Sequence, residues 1–260
     1  MNKSTFSVGK TRFDQYQCIS KDIETTMTYL KSSSFVSSPI IKSDQNMIIL
    51  DLSVGADLCG EPITGLSAQQ FNSLIERSIH AANTEFAYGR WGESRDIYSN
   101  DLFNSVTENR HEKRSIHLGI DIFCQHTTKI FSPLDGTVYI KTNNKAELDY
   151  GPMLIIEHSN HNGGVFYTLY GHLSSQGIAG IKEGQNVSAG QLIAEVGAPP
   201  ENGNWPPHLH FQLIMHLLDL GSDFPGVAFP SERNIWLNLS PCPSMFFPSA
   251  SSSINSTIDI

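Results

Sequence analysis

Two short stretches decide how this chain reads: H-L-G-I-D at residues 117–121 and H-L-H at residues 208–210. Side chains alternate faces along a strand, so His117, Gly119 and Asp121 share one side, as do His208 and His210. Between them lies Y-G-H-L, with a further histidine at His172. Neighbouring strands carrying these motifs present imidazoles and a carboxylate to one point. That is the ligand chemistry of a catalytic zinc, with nitrogen and oxygen donors and one position left for water. Gly119 leaves room beside the donors, and Pro206 and Pro207 fix the backbone just before His208. A buried aspartate among imidazoles is costly unless it meets a cation or a protonated partner.

The rest of the composition narrows the function. The chain has 260 residues, 39% hydrophobic and 17% charged, enough for one large or two modest domains with ample core. A net charge of -9 argues against nucleic acid, whose phosphates call for a basic surface. Cys18, Cys59, Cys124 and Cys242 are widely spaced with no C-x-x-C pair, which argues against a four-cysteine zinc site and against a dense disulfide framework; reduced, buried thiols are expected. The first ten residues are polar, with no signal peptide and no apolar run of membrane-spanning length after them, so a cytoplasmic location is expected.

Hydrophobic periodicity divides the chain at about residue 90. Before it, Ile23, Met27 and Leu30 recur at helical spacing behind an N-cap expected at Asp22, and a short strand is predicted over 47–54. Ser67 and Gln70 form a capping box for a helix predicted over 67–87. Residues 88–114 read as a loop-rich connector that lines or covers a site. Short strands then follow at 116–123, 137–140, 153–157, 165–170, 191–196 and 210–215, separated by glycine turns. The expected fold class is therefore mainly β, an antiparallel sheet folded partly over itself, with an N-terminal helical segment. The expected units are a helical or mixed cap (1–90), a β-domain (91–247) and a disordered Ser-rich tail (248–260).

The other histidines read as ordinary. His80 falls on the helix, His126, His158 and His161 lie near turns, and His216 follows the last strand. The H-E-K-R-S-I-H stretch from His111 is not the helical H-E-x-x-H zinc motif, because its second histidine comes six positions later.

Five blocks in order carry a family resemblance: R-S-I-H-L-G-I-D-I-F, F-S-P-L-D-G-T-V, Y-T-L-Y-G-H-L, G-Q-N-V-S-A-G-Q-L-I-A-E-V-G and W-P-P-H-L-H-F-Q. Over about residues 114–216 the chain resembles the lysostaphin-type zinc metalloendopeptidases, which cut peptide cross-links in peptidoglycan. Y-G-R-W-G-E-S-R-D-I-Y upstream and D-F-P-G-V-A-F-P-S-E downstream extend a closer likeness. It is to the peptidase-like module found fused to phosphotransferase and class-III aminotransferase domains. The resemblance implies a folded β-sandwich of the duplicated-hybrid-motif kind and one zinc ion per chain held by His117, Asp121 and His210. It implies catalytic, non-ligand roles for His172 and His208. Two departures, A-P-P-E-N-G-N-W-P-P before H-L-H and Gln212 where glutamate is common, remove no ligand but bear on the substrate.

The function implied is zinc-assisted amide hydrolysis of a peptide or peptidoglycan substrate, with no nucleic-acid partner, no transmembrane segment and an open oligomeric state. Two other classes compete with it. One is a non-hydrolytic binding or regulatory module. The other is a phosphohistidine carrier, against which Asp121 and the H-L-H block speak, since a phosphoryl acceptor needs no third metal donor. The segment before residue 90 reads either as a packing cap or as a regulatory lid over the cleft.

Overall fold

The protein is described by a computed structural model over residues 10–32, 34–42, 47–98, 100–104, 112–160 and 163–247, with side chains from Ile19 onward. The expected tail at 248–260, His111 and His161 lie outside the described residues. Three α-helices are present among them: α1 (Lys10–Leu30), α2 (Ala68–Ala81) and α3 (Arg233–Leu239). The strands of the N-terminal third are β1 (Ile48–Leu50), β2 (Asp57–Leu58), β3 (Glu61–Pro62) and β4 (Ala87–Gly89). Those of the middle are β5 (Ile116–His117), β6 (Ile120–Phe123), β7 (Lys129–Phe131), β8 (Gly136–Asn144) and β9 (Gly151–Ser159). The last are β10 (Val165–Gly171), β11 (Asn186–Val187), β12 (Leu192–Glu195), β13 (His208–Ile214) and β14 (Val227–Ala228). The fold is mainly β, as expected.

One sheet of eight strands, in the order β1-β4-β6-β13-β10-β9-β8-β11, organises the molecule. Its pairings are antiparallel except β1 with β4, which run parallel, so the sheet is mixed rather than purely antiparallel. β13 lies between β6 and β10, and this position aligns the motifs: His210 stands opposite Asp121 on one side and Gly171 on the other. Alternation along β13 sends Leu209, Phe211 and Leu213 into the main core, while His208, His210 and Gln212 face the other way.

The main core takes in the described side chains of the N-terminal region. Leu30, Ile40 and Ile41 are buried with the β-domain residues Ile130, Val138 and Trp236, and Ile19, Ile23, Met27 and Tyr29 pack against them. The Asn160 amide donates to the Thr26 hydroxyl at 2.9 Å. A second apolar cluster joins Phe71, Leu74 and Ile75 of α2 to Tyr98, Phe103, Phe123 and Trp205 beside the site. No helix among the described residues is long and apolar enough to cross a membrane.

Four local expectations are corrected. α1 begins at Lys10, so Asp22 is an exposed residue inside the helix rather than its N-cap. Neither glycine nor proline interrupts residues 10–30, and local sequence offers no reason to start later. α2 does start at the Ser67–Gln70 capping box but ends at Ala81, not residue 87. Asn83 adopts φ 50°, and the Thr84 N–H returns to the Ile79 carbonyl, a left-handed helix stop that frees Phe86 and Ala87 for the sheet. The strand expected over 116–123 is broken at Leu118 and Gly119 into β5, paired with β14, and β6, paired with β13 and β4. Of the three free cysteines described, Cys124 is buried and Cys242 half-buried, but Cys59 is exposed.

Candidate metal centre

His117, Asp121 and His210 are all buried, and one ligand-capable atom from each lies within 4.8 Å of the other two. The His117 Nδ1–H donates to the Arg90 carbonyl at 2.9 Å, which leaves the Nε2 lone pair facing inward. His210 is oriented by Gln212. The Gln212 amide nitrogen donates to the Pro225 carbonyl and to the Ser240 hydroxyl at 2.8 Å. Its carbonyl oxygen therefore turns to the His210 Nε2–H at 2.9 Å, and the Nδ1 lone pair faces the centre. Glutamine thus supplies the acceptor that a glutamate would supply, without adding a charge.

The inward atoms form a small triangle. His117 Nε2 and His210 Nδ1 are 3.1 Å apart, and Asp121 Oδ1 is 3.2 and 3.1 Å from them. Tetrahedral zinc with bonds of about 2.0–2.1 Å separates its ligand atoms by roughly 3.3 Å. Two imidazole lone pairs and one carboxylate oxygen at this spacing fit zinc in both chemistry and size. Gly119 makes the approach possible: a Cβ there would lie 2.7 Å from His210 Nε2 and 2.7 Å from the Phe211 carbonyl oxygen.

The other oxygen of Asp121 belongs to a buried charge network outside the two motifs. Arg95 donates to Asp121 Oδ2 at 2.6 Å and to Glu93 at 2.8 Å. Glu93 also accepts the Leu52 N–H at 3.1 Å, tying the segment after β1 to the centre. Burial by itself would raise the Asp121 carboxyl, but His117 and Arg95 outweigh it and hold the group well below the usual carboxylate range. Burial, with Arg95 adding to it, pushes His117 down to about 4. The expectation that residues 88–114 line the site holds for Arg95, Ile97, Tyr98 and Phe103. Nothing in their spacing singles out Glu93 or Arg95, because the connector has no periodicity.

His172 and His208 complete the arrangement without joining the triangle. The His208 Nδ1–H donates to the Pro206 carbonyl at 2.6 Å, and its Nε2 stands 3.6 Å from Asp121 Oδ1. The His172 Nδ1–H donates to the Asn202 carbonyl at 2.8 Å. The two rings are 4.3 Å apart, and His208 stacks on Phe123. His172 has φ 61°, a strained conformation that ends β10 and turns the imidazole toward the centre. Burial and the neighbouring His208 hold His172 well below the imidazole range, and burial lowers His208, so both are neutral at pH 7. All five residues line a cavity of about 260 Å³, whose walls include Phe71, Tyr98, Phe103 and Trp205.

The other described histidines are apart from this group. His80 and His126 are exposed, His216 is half-buried, and His158 is buried against Thr168 and the Asp135 carbonyl.

Residues 115–218 match peptidase family M23. The chain is 32% identical over 135 residues to an L-Ala–D-Glu endopeptidase of Bacillus subtilis (strain 168), covering 49% of this chain and 34% of that protein. It thus spans about a third of the length of this curated relative. Among solved structures, a zinc-containing peptidase from Vibrio cholerae is 31% identical, covering 44% of this chain and 31% of that one, with a TM-score of 0.32. The catalytic domain of lysostaphin from Staphylococcus simulans is 24% identical, covering 45% and 77%, with a TM-score of 0.34. The family match and the endopeptidase relative support a metallopeptidase hydrolase as the enzyme class of the matched region.

Proposed function

We propose that this chain is a zinc-dependent endopeptidase that hydrolyses amide bonds in peptidoglycan cross-links or related peptides. One observation carries the reading: two oriented imidazole lone pairs and one carboxylate oxygen converge at zinc-ligand spacing. His117, Asp121 and His210 hold the ion, one per chain. When bound, zinc lowers the pKa of its water from about 16 to roughly 7 and polarises the substrate carbonyl.

The protein's own groups do the rest. His172 and His208 are neutral at pH 7 and each spends its Nδ1–H on a backbone carbonyl, so each offers an Nε2 lone pair to the cavity. One accepts the proton of the attacking water there, and the imidazolium it becomes donates from Nε2 to the charge that develops on the substrate. Arg95 holds Asp121 Oδ2, so that Oδ1 alone faces the ligand triangle. The aromatic wall of Tyr98, Phe103 and Trp205 excludes water from the reacting bond. Upstream Arg90 and Arg95 and downstream Pro225 support the site. That favours kinship with the fused peptidase-like variant, whose signature blocks contain these residues.

The test combines metal analysis with turnover. The expected result is about one zinc per chain, absent from His210→Ala, with cleavage of purified muropeptides by the zinc-loaded protein. His172→Ala should keep its zinc and lose turnover by about 100-fold or more. A zinc-loaded wild type that cleaves neither muropeptides nor short linear peptides would overturn the enzyme reading in favour of a binding module. A His172→Ala protein that stays fully active would overturn the division of roles.

A further inference from the structure

The cavity contains a polar group that neither the fold nor the metal centre uses. Three buried side-chain atoms lack a hydrogen-bond partner among the described residues: Asn72 Oδ1, Asn202 Oδ1 and the Tyr150 hydroxyl. Of these three residues only Tyr150 lines the cavity of the metal centre. Its ring centroid lies 5.5 Å from that of His210 and 6.0 Å from that of His172. A buried tyrosine hydroxyl ordinarily has a partner, and phenylalanine would fill the same space without stranding a polar atom.

The side chain is also held where it is. Its backbone carbonyl accepts the His172 N–H at 2.8 Å, and its own N–H donates to the Asp149 carboxylate at 2.8 Å. The hydroxyl lies against Gly226, where a Cβ would come within 2.6 Å of it. Tyr150 is thus fixed to the backbone of a candidate catalytic histidine, with its hydroxyl unspent. Burial, reinforced by Asp149, raises its pKa well above the ordinary tyrosine value, so the group is a permanent donor at neutral pH. Arg114, Tyr98 and Asp121 are the other charged or titratable groups that it feels.

We propose that the Tyr150 hydroxyl is a substrate contact that donates a hydrogen bond to the carbonyl oxygen of the amide under attack. The proposal rests on the peptidase reading above. A donor already fixed and desolvated gains most as that oxygen acquires charge, so the contact acts on turnover more than on binding. No covalent step is involved.

Tyr150→Phe in the zinc-loaded, full-length protein tests it, with kcat, KM, zinc content and urea unfolding measured together. The expected result is a fall in kcat on the order of 100-fold with KM within about twofold. Zinc content should stay at one per chain, and stability should be equal to or above wild type, because no protein partner loses a bond. Wild-type kcat in the variant overturns the proposal, as does a clear loss of stability, which would reveal a structural partner for the hydroxyl. The two readings fail separately. An inactive wild type defeats the peptidase assignment and this proposal with it, whereas an active wild type with an equally active Tyr150→Phe defeats this proposal alone.

Discussion

Replacing Arg95 with methionine removes the cation between two buried carboxylates while keeping much of the side chain's length. Glu93 and Arg95 are each 2% exposed and Asp121 4%, so water does little to screen what remains. The guanidinium now spends one short bond on each, 2.6 Å to Asp121 and 2.8 Å to Glu93, and a third, 3.3 Å, on the Arg90 carbonyl. Breaking a buried ion pair from one side destabilises a protein by about 3–5 kcal/mol, because the remaining charge is stranded. Here Glu93 keeps the Leu52 N–H and a 3.6 Å approach from Arg90, and Asp121 keeps its imidazole neighbours. The expected loss is therefore near the lower end, about 3 kcal/mol, against a total of about 5–15 kcal/mol for a typical domain.

The assay is urea unfolding followed by far-ultraviolet circular dichroism, on chelator-treated and zinc-loaded protein. The deficit should be largest without zinc and smaller with it, since a bound cation supplies Asp121 with a second partner. Arg95→Lys retains the charge but not the fork, and should recover only part of the loss. A zinc-free Arg95→Met protein within about 1 kcal/mol of wild type would refute the claim that this network supports the centre.

Two further perturbations follow from the geometry. Gly119→Ala drives a methyl group against His210 and the Phe211 carbonyl and should weaken zinc binding on the order of 10–100-fold in a competition titration; unchanged affinity would show that the ring moves aside freely. His158, away from the centre, is held down to about 4 by burial, so below pH 6.5 the unfolded chain takes up a proton that the folded one refuses. Its contribution should decline by about 2 kcal/mol between pH 7 and pH 5, and a wild-type minus His158→Gln stability difference that is flat across that range would contradict this.

Much of the site is legible in one dimension because strand alternation is a local rule. His208, His210 and Gln212 share a face in any strand, and the Ser67–Gln70 box declares a helix start within four residues. The alternation argument for His117 and Asp121 reaches the right neighbourhood by a different route. The strand breaks at Gly119, and the two residues meet because β5 and β6 find separate partners. The helix stop at Asn83 was hidden, since asparagine in the left-handed conformation is one option among several that the local sequence permits. The parallel pairing of β1 with β4 was hidden too, because three-residue strands carry no period.

By itself, then, the sequence determined the side-chain chemistry: which residues have donor atoms, which alternate together, and that a β-rich domain carries them. Only the tertiary structure decided which atoms meet. Arg95 and Glu93 come from an aperiodic connector, and their positions beside Asp121 follow from long-range pairing across the sheet. The tautomers of His117 and His210 depend on Arg90 and Gln212, and Gln212 in turn depends on Pro225 and Ser240. The isolation of the Tyr150 hydroxyl is a property of the packed cavity alone. Alternation and capping act over a few residues and leave a trace in local order. Burial, charge pairing and hydrogen-bond orientation are set by contacts between distant segments, which local order does not encode.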